Sequence, residues 1–409
     1  MSDTRIFEGH KYVEPPAGVP EWDIDPYAPE VLAAPEEFYR ELRAKGPFVY
    51  LTKYAMLACG RYDETRQVFS DWENFVSSRG VGLQDFRLEE PWRPPSRVLE
   101  ADPPDHDTFR KVIVRCMAPN VVASLRASFR EAADRLIDSL IDTDGFDGVT
   151  DLAQAFPTEV FPAAVGMKDN DQQRLIDYGV MVFNALGPDN AARRAAMARA
   201  PEVVPWITAA CQAENLTGEG IGGIIYEAAK THEISEEDAG MLVRSLFSAG
   251  IDTTISGLAS ALWCLAENPD ALATLKDNPK LARPCFEEAI RFVSPVHSFC
   301  RTADTDVEVS GVTIEEGTKV LCVLASANRD EDKWPQAATF KIDRRPMGHL
   351  AFGVGIHHCP GQNIARAEGE AVLLSLADKV NAIKLTGKPS WQVNNAVLAP
   401  KSLPMEFVV

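Results

Sequence analysis

Across 409 residues the chain is 45% hydrophobic and 25% charged, a globular composition with material for a large core, and its net charge is −19. Binding a phosphate backbone needs a basic face, so this acidic balance argues against nucleic acid as a partner. Eight scattered cysteines without a C-x-x-C pair argue against a zinc ribbon, a ferredoxin-type cluster or a disulfide framework.

The N-terminal stretch MSDTRIFEGHKYVEPPAGVPEW has no signal-peptide apolar core, and no window reaches the roughly 18 uninterrupted apolar residues of a membrane span. A soluble, cytoplasmic protein with no membrane partner is expected. Without a Gly/Ser-rich linker or an internal repeat, residues 1–409 are expected to form one domain.

In chain order, helical patterns cover 35–45, 105–117, 120–142, 171–186, 236–267, 270–277 and 282–292. Alternating β-branched residues broken by Ser-Gly and Glu-Gly predict short strands within 48–59 and 305–323. The expected fold class is mainly α with small β-sheets. No βαβ alternation and no G-x-G-x-x-G after a strand occur, so the chain has no nicotinamide site of its own.

The segment 236–267 reads as one long helix. Ser235 before Glu236, Glu237 and Asp238 is a strong N-terminal cap, and Asn268-Pro269 a stop, giving some 45 Å of helix. Its centre, FSAGIDTT, breaks local rules: Gly250 costs about 1 kcal/mol against alanine, and Asp252, Thr253 and Thr254 are poor helix formers. A packing glycine beside a solvated aspartate is the plain explanation; a functional site is the other.

The stretch 350–380 is a loop running into a helix, with Gly353 and Gly355 before Cys359 and Gly361 after it. Such glycines let backbone approach a flat surface, and the helix start places amides and a positive dipole end near the sulfur. By itself the pattern suits a buried structural cysteine, a nucleophile activated by His357 or His358, or a thiolate ligand to haem iron.

FGVGIHHCPG matches F-G-x-G-x-H-x-C-x-G at every specified position, and on that motif the chain closely resembles the cytochrome P450 family over nearly its whole length. The resemblance implies a haem b cofactor with Cys359 as proximal iron ligand, Phe352 among the haem-binding residues, and His106, Arg110, Arg301 and His357 on the haem propionates. It implies that the 236–267 helix crosses the distal side of the haem, that Gly250 makes room for O₂ and substrate, and that Asp252 and Thr253 deliver protons. A carboxylate beside a hydroxyl suits that task, with the Thr253 hydroxyl bonded back to the Ala249 carbonyl. Glu288, Arg291 and Arg344 match the family's structural triad. Pro360, with no N–H to give the sulfur, implies a more electron-donating thiolate.

Within the family, PWRPPS (91–96) resembles the substrate loop of bacterial enzymes that O-demethylate para-methoxybenzoic acid. That likeness implies that Arg93, Ser96, Ser245 and Arg244 hold a substrate carboxylate, while Leu99, Phe183, Ala249, Val296 and Phe299 enclose the ring. Leu186 stands where the subfamily often has a second phenylalanine, implying a wider pocket. A surface arginine stiffened by prolines is the alternative for Arg93. Electrons must come from outside, by implication from a ferredoxin and its NAD(P)H-dependent reductase, with Lys111, Arg115 and Arg366 as docking candidates. Hydroxylation of a different small carboxylic acid, a haem-based sensor, and a peroxide-driven fatty-acid hydroxylase are the rival readings.

Overall fold

The computed structural model describes residues 5–409, and its architecture is a helical body beside small sheets. The largest sheet has six strands in the order Glu21–Trp22, Val49–Leu51, Met56–Cys59, Lys319–Cys322, Phe299–Ala303, Phe75–Val76. Met56–Cys59 runs parallel to Lys319–Cys322, which pairs antiparallel with Phe299–Ala303 so that Val320 faces Arg301. A second sheet joins Ala382–Leu385, Pro404–Val408 and Phe146–Asp147. The sequence pattern anticipates the central strands of the first sheet and none of the second.

The long segment at 236–267 begins as expected: the Ser235 hydroxyl accepts the Asp238 amide at 3.0 Å, and Asn268 closes the far end. It is not one uninterrupted helix. It breaks at Ile251 (φ −87°, ψ −67°) into Glu236–Gly250 and Asp252–Glu267, at the turn whose residues are poor helix formers. This stretch is long and apolar enough to cross a membrane, but 72% of its apolar window lies buried inside the protein, where it is the core of the helical body.

Gly250 is a correction. A Cβ there would lie 2.6 Å from the Phe161 ring, so the missing side chain admits the helix Ala155–Val165 and not O₂ or substrate. The same packing hides that helix in the sequence. Eight of its eleven residues are buried, leaving no polar face to create a periodic pattern.

Glu288 and Arg291 lie in the helix Ala282–Val293 with fully buried side chains. Arg291 donates to both Glu288 oxygens at 2.7 and 2.8 Å and to the Asn328 carbonyl at 2.6 Å; Arg344 donates to Glu288 at 2.9 Å and to the carbonyls of Pro335 and Gln336. These bonds tie the helix to the meandering chain leading towards Cys359. Glu288→Ala leaves a buried guanidinium without its counter-charge, so it should destabilise the fold by about 3–5 kcal/mol, read as a fall in the denaturant midpoint of the holoprotein.

Candidate active site

The seven cysteines other than Cys359 are buried, whereas Cys359 is partly open. Its amide donates to the Phe352 carbonyl at 2.8 Å, closing the glycine loop, and the helix Gln362–Lys379 starts three residues on. Burial pushes the Cys359 thiol up, while the amides of Gly361 and Gln362 and the guanidiniums of Arg110 and Arg366 oppose that shift. Pro360 therefore removes one donor, with two amides remaining beside the sulfur. Phe352 lies under the Arg366 guanidinium, 4.7 Å from the ring centre.

Three buried cationic or imidazole side chains converge nearby. The His106 and His357 rings are 4.8 Å apart, and His357 Nε2 lies 3.8 Å from Asp102. Burial drives the His357 imidazole down to about 4, so it is neutral at neutral pH, with Asp102 opposing the shift. Burial would raise the Asp102 carboxyl, but the nearby His357 ring and the Ser77 and Ser78 amides, which donate to it at 3.0 and 2.9 Å, hold it well below the usual range. His106 Nε2, Arg301 Nη2 and both His357 ring nitrogens are buried without a hydrogen-bond partner. Four unpartnered buried nitrogens in one place, with the Arg301 guanidinium a fixed donor and each imidazole able to supply one N–H, suit a ligand with acceptor oxygens. Arg110 differs: its guanidinium donates to the His358 carbonyl and thereby braces the cysteine loop.

The central helix carries a second group of polar residues. Between buried Leu246, Phe247 and Ile251, residues Ser245, Ser248, Ala249 and Thr253 keep open surface, a single face at helical spacing. The Thr253 hydroxyl donates to the Ala249 carbonyl at 2.6 Å. Asp252 is 4% exposed, its Oδ2 has no partner, and burial raises its carboxyl to about 7. Gly179, in the helix Gln172–Asn184, makes space for it, since a Cβ there would sit 2.7 Å from that of Asp252.

At the other end of the open face, Ser245 donates to the Met241 carbonyl at 2.9 Å and lies 3.4 Å from the Ser96 hydroxyl. Ser96 Oγ accepts the amides of Val98 and Leu99, which shapes the loop. Arg244 and Arg93 both donate to the Pro94 carbonyl, at 3.2 and 3.0 Å. Arg93 is not the loose surface arginine that flanking prolines allow. It pairs with Glu100 at 3.0 Å, and both side chains are mostly buried. Phe183, Leu186, Val296 and Phe299 form one apolar cluster, joined by Ala396 and Val397 from the C-terminal loop.

Sequence reasoning missed several of these partners. Ala396 and Val397 lie in a loop that tertiary structure alone brings to the apolar cluster, and Glu100 is joined to Arg93 through an irregular turn, where no helical or strand periodicity applies. Glu368 is also new: it is fully buried beside Thr254, neither of its oxygens is hydrogen-bonded, and burial raises its carboxyl to about 8.

The deciding observation is a comparison: over 392 residues the chain is 46% identical to cytochrome p450 CYP199A2 of Rhodopseudomonas palustris, covering 96% of this chain and 95% of that one. The chain belongs to the cytochrome P450 family. The family model for cytochrome P450 matches residues 223–379. A beta-dihydromenaquinone-9 omega-hydroxylase of Mycobacterium tuberculosis is 29% identical over 379 residues, 91% of this chain and 76% of its own. Among solved structures, epothilone D-bound cytochrome P450epoK aligns with TM-score 0.83 at 25% identity, covering 95% of this chain and 100% of that one. P450BioI, bound to a fatty-acylated acyl carrier protein, aligns with TM-score 0.82 at 23% identity, over 93% and 100%, and shows the shared fold.

The chain is therefore a haem monooxygenase that uses O₂ and external electrons. The family's cofactor is haem b with a cysteine thiolate on the iron, and the residues present fit it. The open cysteine lies in a glycine loop at a helix start, and the unpartnered nitrogens of His106, Arg301 and His357 suit two carboxylates.

Proposed function

We propose that this P450 removes the methyl group from para-methoxy-substituted benzoic acids, giving the 4-hydroxybenzoate and formaldehyde. The observation that carries the reading is the polar cluster of Arg93, Ser96, Arg244 and Ser245, which in this reading closes one end of a pocket walled by the apolar cluster of Phe183, Leu186, Val296 and Phe299. Along the open helix face, Ser245 precedes Thr253 by eight residues, about 12 Å of rise. That span suits an aromatic acid held by its carboxylate, with the para substituent directed at the oxygen-handling turn.

In this reading Cys359 holds haem b, whose carboxylates take the free nitrogens of His106, Arg301 and His357. The bound haem supplies the oxidising chemistry that inserts one atom of O₂ into the methoxy C–H bond. Ser96 donates to the substrate carboxylate, Ser245 does so once its hydroxyl turns from the Met241 carbonyl, and the two arginines supply positive charge. Leu99, Phe183, Leu186, Ala249, Val296 and Phe299 exclude water around the ring, and Leu186 widens the wall relative to phenylalanine. Asp252 holds a proton that Thr253 passes on, its hydroxyl donating to the Ala249 carbonyl and its oxygen left able to accept. The hydroxylated methyl is a hemiacetal, which collapses to phenol and formaldehyde.

The two electrons per turnover come from a ferredoxin with its NAD(P)H-dependent reductase, and the protein works in the cytoplasm. Of the cations considered for docking, Arg115 pairs with Glu233 and Arg366 with Glu287, so Lys111, exposed and without an ion pair among the described residues, is the remaining free one.

Arg93→Ala tests the carboxylate anchor. Truncating one partner of a buried charged hydrogen bond costs about 2–5 kcal/mol, and the low end is roughly thirtyfold in affinity. Titrating 4-methoxybenzoate by the Soret shift should show at least that thirtyfold loss, whereas neutral 4-methoxybenzamide should change little. Equal weakening of both ligands would reduce Arg93 to a loop-shaping residue.

A further inference from the structure

Resting on that reading, one carboxylate in the acid pocket has no role yet. Glu100 closes the loop that carries Arg93 and Ser96: a single oxygen, Oε2, accepts from Arg93 Nη1 at 3.0 Å and from the Ser96 amide at 2.7 Å. Its side chain is 3% exposed. The Glu100 amide in turn donates to the Ser96 carbonyl at 3.1 Å, so the five residues form a closed turn. Glu100 takes Nη1 and leaves Arg93 Nε buried without a partner. The arginine is thereby held by one edge with another donor free.

Arg93 and Arg244 both donate to the Pro94 carbonyl, and Glu100 is the carboxylate paired with the first of them. Two guanidiniums and one carboxylate sum to a single positive charge beside Ser96 and Ser245. We infer that Glu100 is a positioning and specificity residue, which orients Arg93 and cancels one guanidinium charge so that the pocket takes ligands with one negative charge. A dianion would bring an unbalanced charge into a mostly buried site, which is costly.

Glu100→Gln separates charge from position, because the amide oxygen still accepts from Arg93 and from Ser96. Ligands are titrated by Soret shift at one mildly alkaline pH with three probes of similar shape: 4-methoxybenzoate (one charge), 4-methoxyphenylphosphonate (two) and 4-methoxybenzamide (none). The wild type should prefer the benzoate. In Glu100→Gln the affinity ratio of phosphonate to benzoate should rise about tenfold, as expected when a like charge a few ångströms away is removed, while the benzamide changes by less than about twofold. Three ligands weakened in equal proportion, or an unchanged ratio, would overturn the inference and leave Glu100 as a structural brace.

The double variant Arg93→Ala/Glu100→Gln gives an independent reading. Arg93→Ala alone leaves the buried Glu100 charge facing the ligand carboxylate, so adding Glu100→Gln should recover at least about threefold of the lost benzoate affinity; no recovery counts against the inference. A wild type whose Soret band ignores 4-methoxybenzoate and other carboxylates overturns the aromatic-acid reading itself, before any variant is made.

Discussion

A Cys359→His variant is expected to lose the red-shifted Soret band of the reduced carbon monoxide complex and, with it, substrate-dependent NAD(P)H oxidation, by at least about a thousandfold. The axial ligand is one of the main levers a protein has over haem chemistry, and a thiolate donates electron density that a neutral imidazole does not. The chain builds its loop for sulfur. The amides of Gly361 and Gln362 and the guanidiniums of Arg110 and Arg366 all favour the thiolate against the burial that opposes it. Arg110 additionally fixes the backbone through the His358 carbonyl, and the Cys359 amide is closed onto Phe352. None of these groups would be satisfied by a larger neutral ring. A variant that kept the red-shifted band would assign the proximal role to another residue.

How much of this could be read from the chain depends on how local the cause is. Ser235 and Asn268 mark the ends of the central helix because capping is a property of three or four neighbouring residues. FSAGIDTT signals that something is wrong in mid-helix, yet the break at Ile251 and the fit of Gly250 against Phe161 depend on another helix that carries no pattern of its own. The glycine loop and its cysteine were legible because their chemistry fixes spacing. The acid pocket was half legible: Arg93 and Ser96 stood out in a proline-stiffened loop, but the pairing of Arg93 with Glu100 requires a turn whose closure is set by the Ser96 hydroxyl and amide. Glu368, in a helix, looks like any surface glutamate until the central helix is packed over it.

Asp252→Asn is expected to cut turnover about a hundredfold, the lower part of the range for general acid–base groups. Substrate affinity should be unchanged, because the proposed polar contacts to the acid, at Ser96 and Ser245, are about two helical turns away. Asp252 lies against Gly179 with Oδ2 unpartnered, and desolvation raises its carboxyl to about 7, against an ordinary value near ~3.9. It therefore holds a proton in the folded protein through the mildly acidic range and yields it near neutrality, where a proton donor is most useful. Turnover in the wild type should fall as pH rises through about 7 and the acid empties, and the asparagine variant should lack that limb.

The sign for stability runs the other way from the loss of activity. A carboxyl whose folded value is raised contributes stability at low pH that is lost as pH rises from about 4 through about 7. Asparagine carries no such charge, so Asp252→Asn should be at least as stable as the wild type above neutrality, and unfolding cannot account for the slower rate. Thr253→Ala separates relay from reservoir. Losing the hydroxyl that bonds Ala249 at 2.6 Å leaves Asp252 in place but removes its outlet, so NAD(P)H should still be consumed while most of it goes to hydrogen peroxide in place of product. Coupling of NAD(P)H to formaldehyde within about twofold of wild type in both variants would return Asp252 and Thr253 to packing alone.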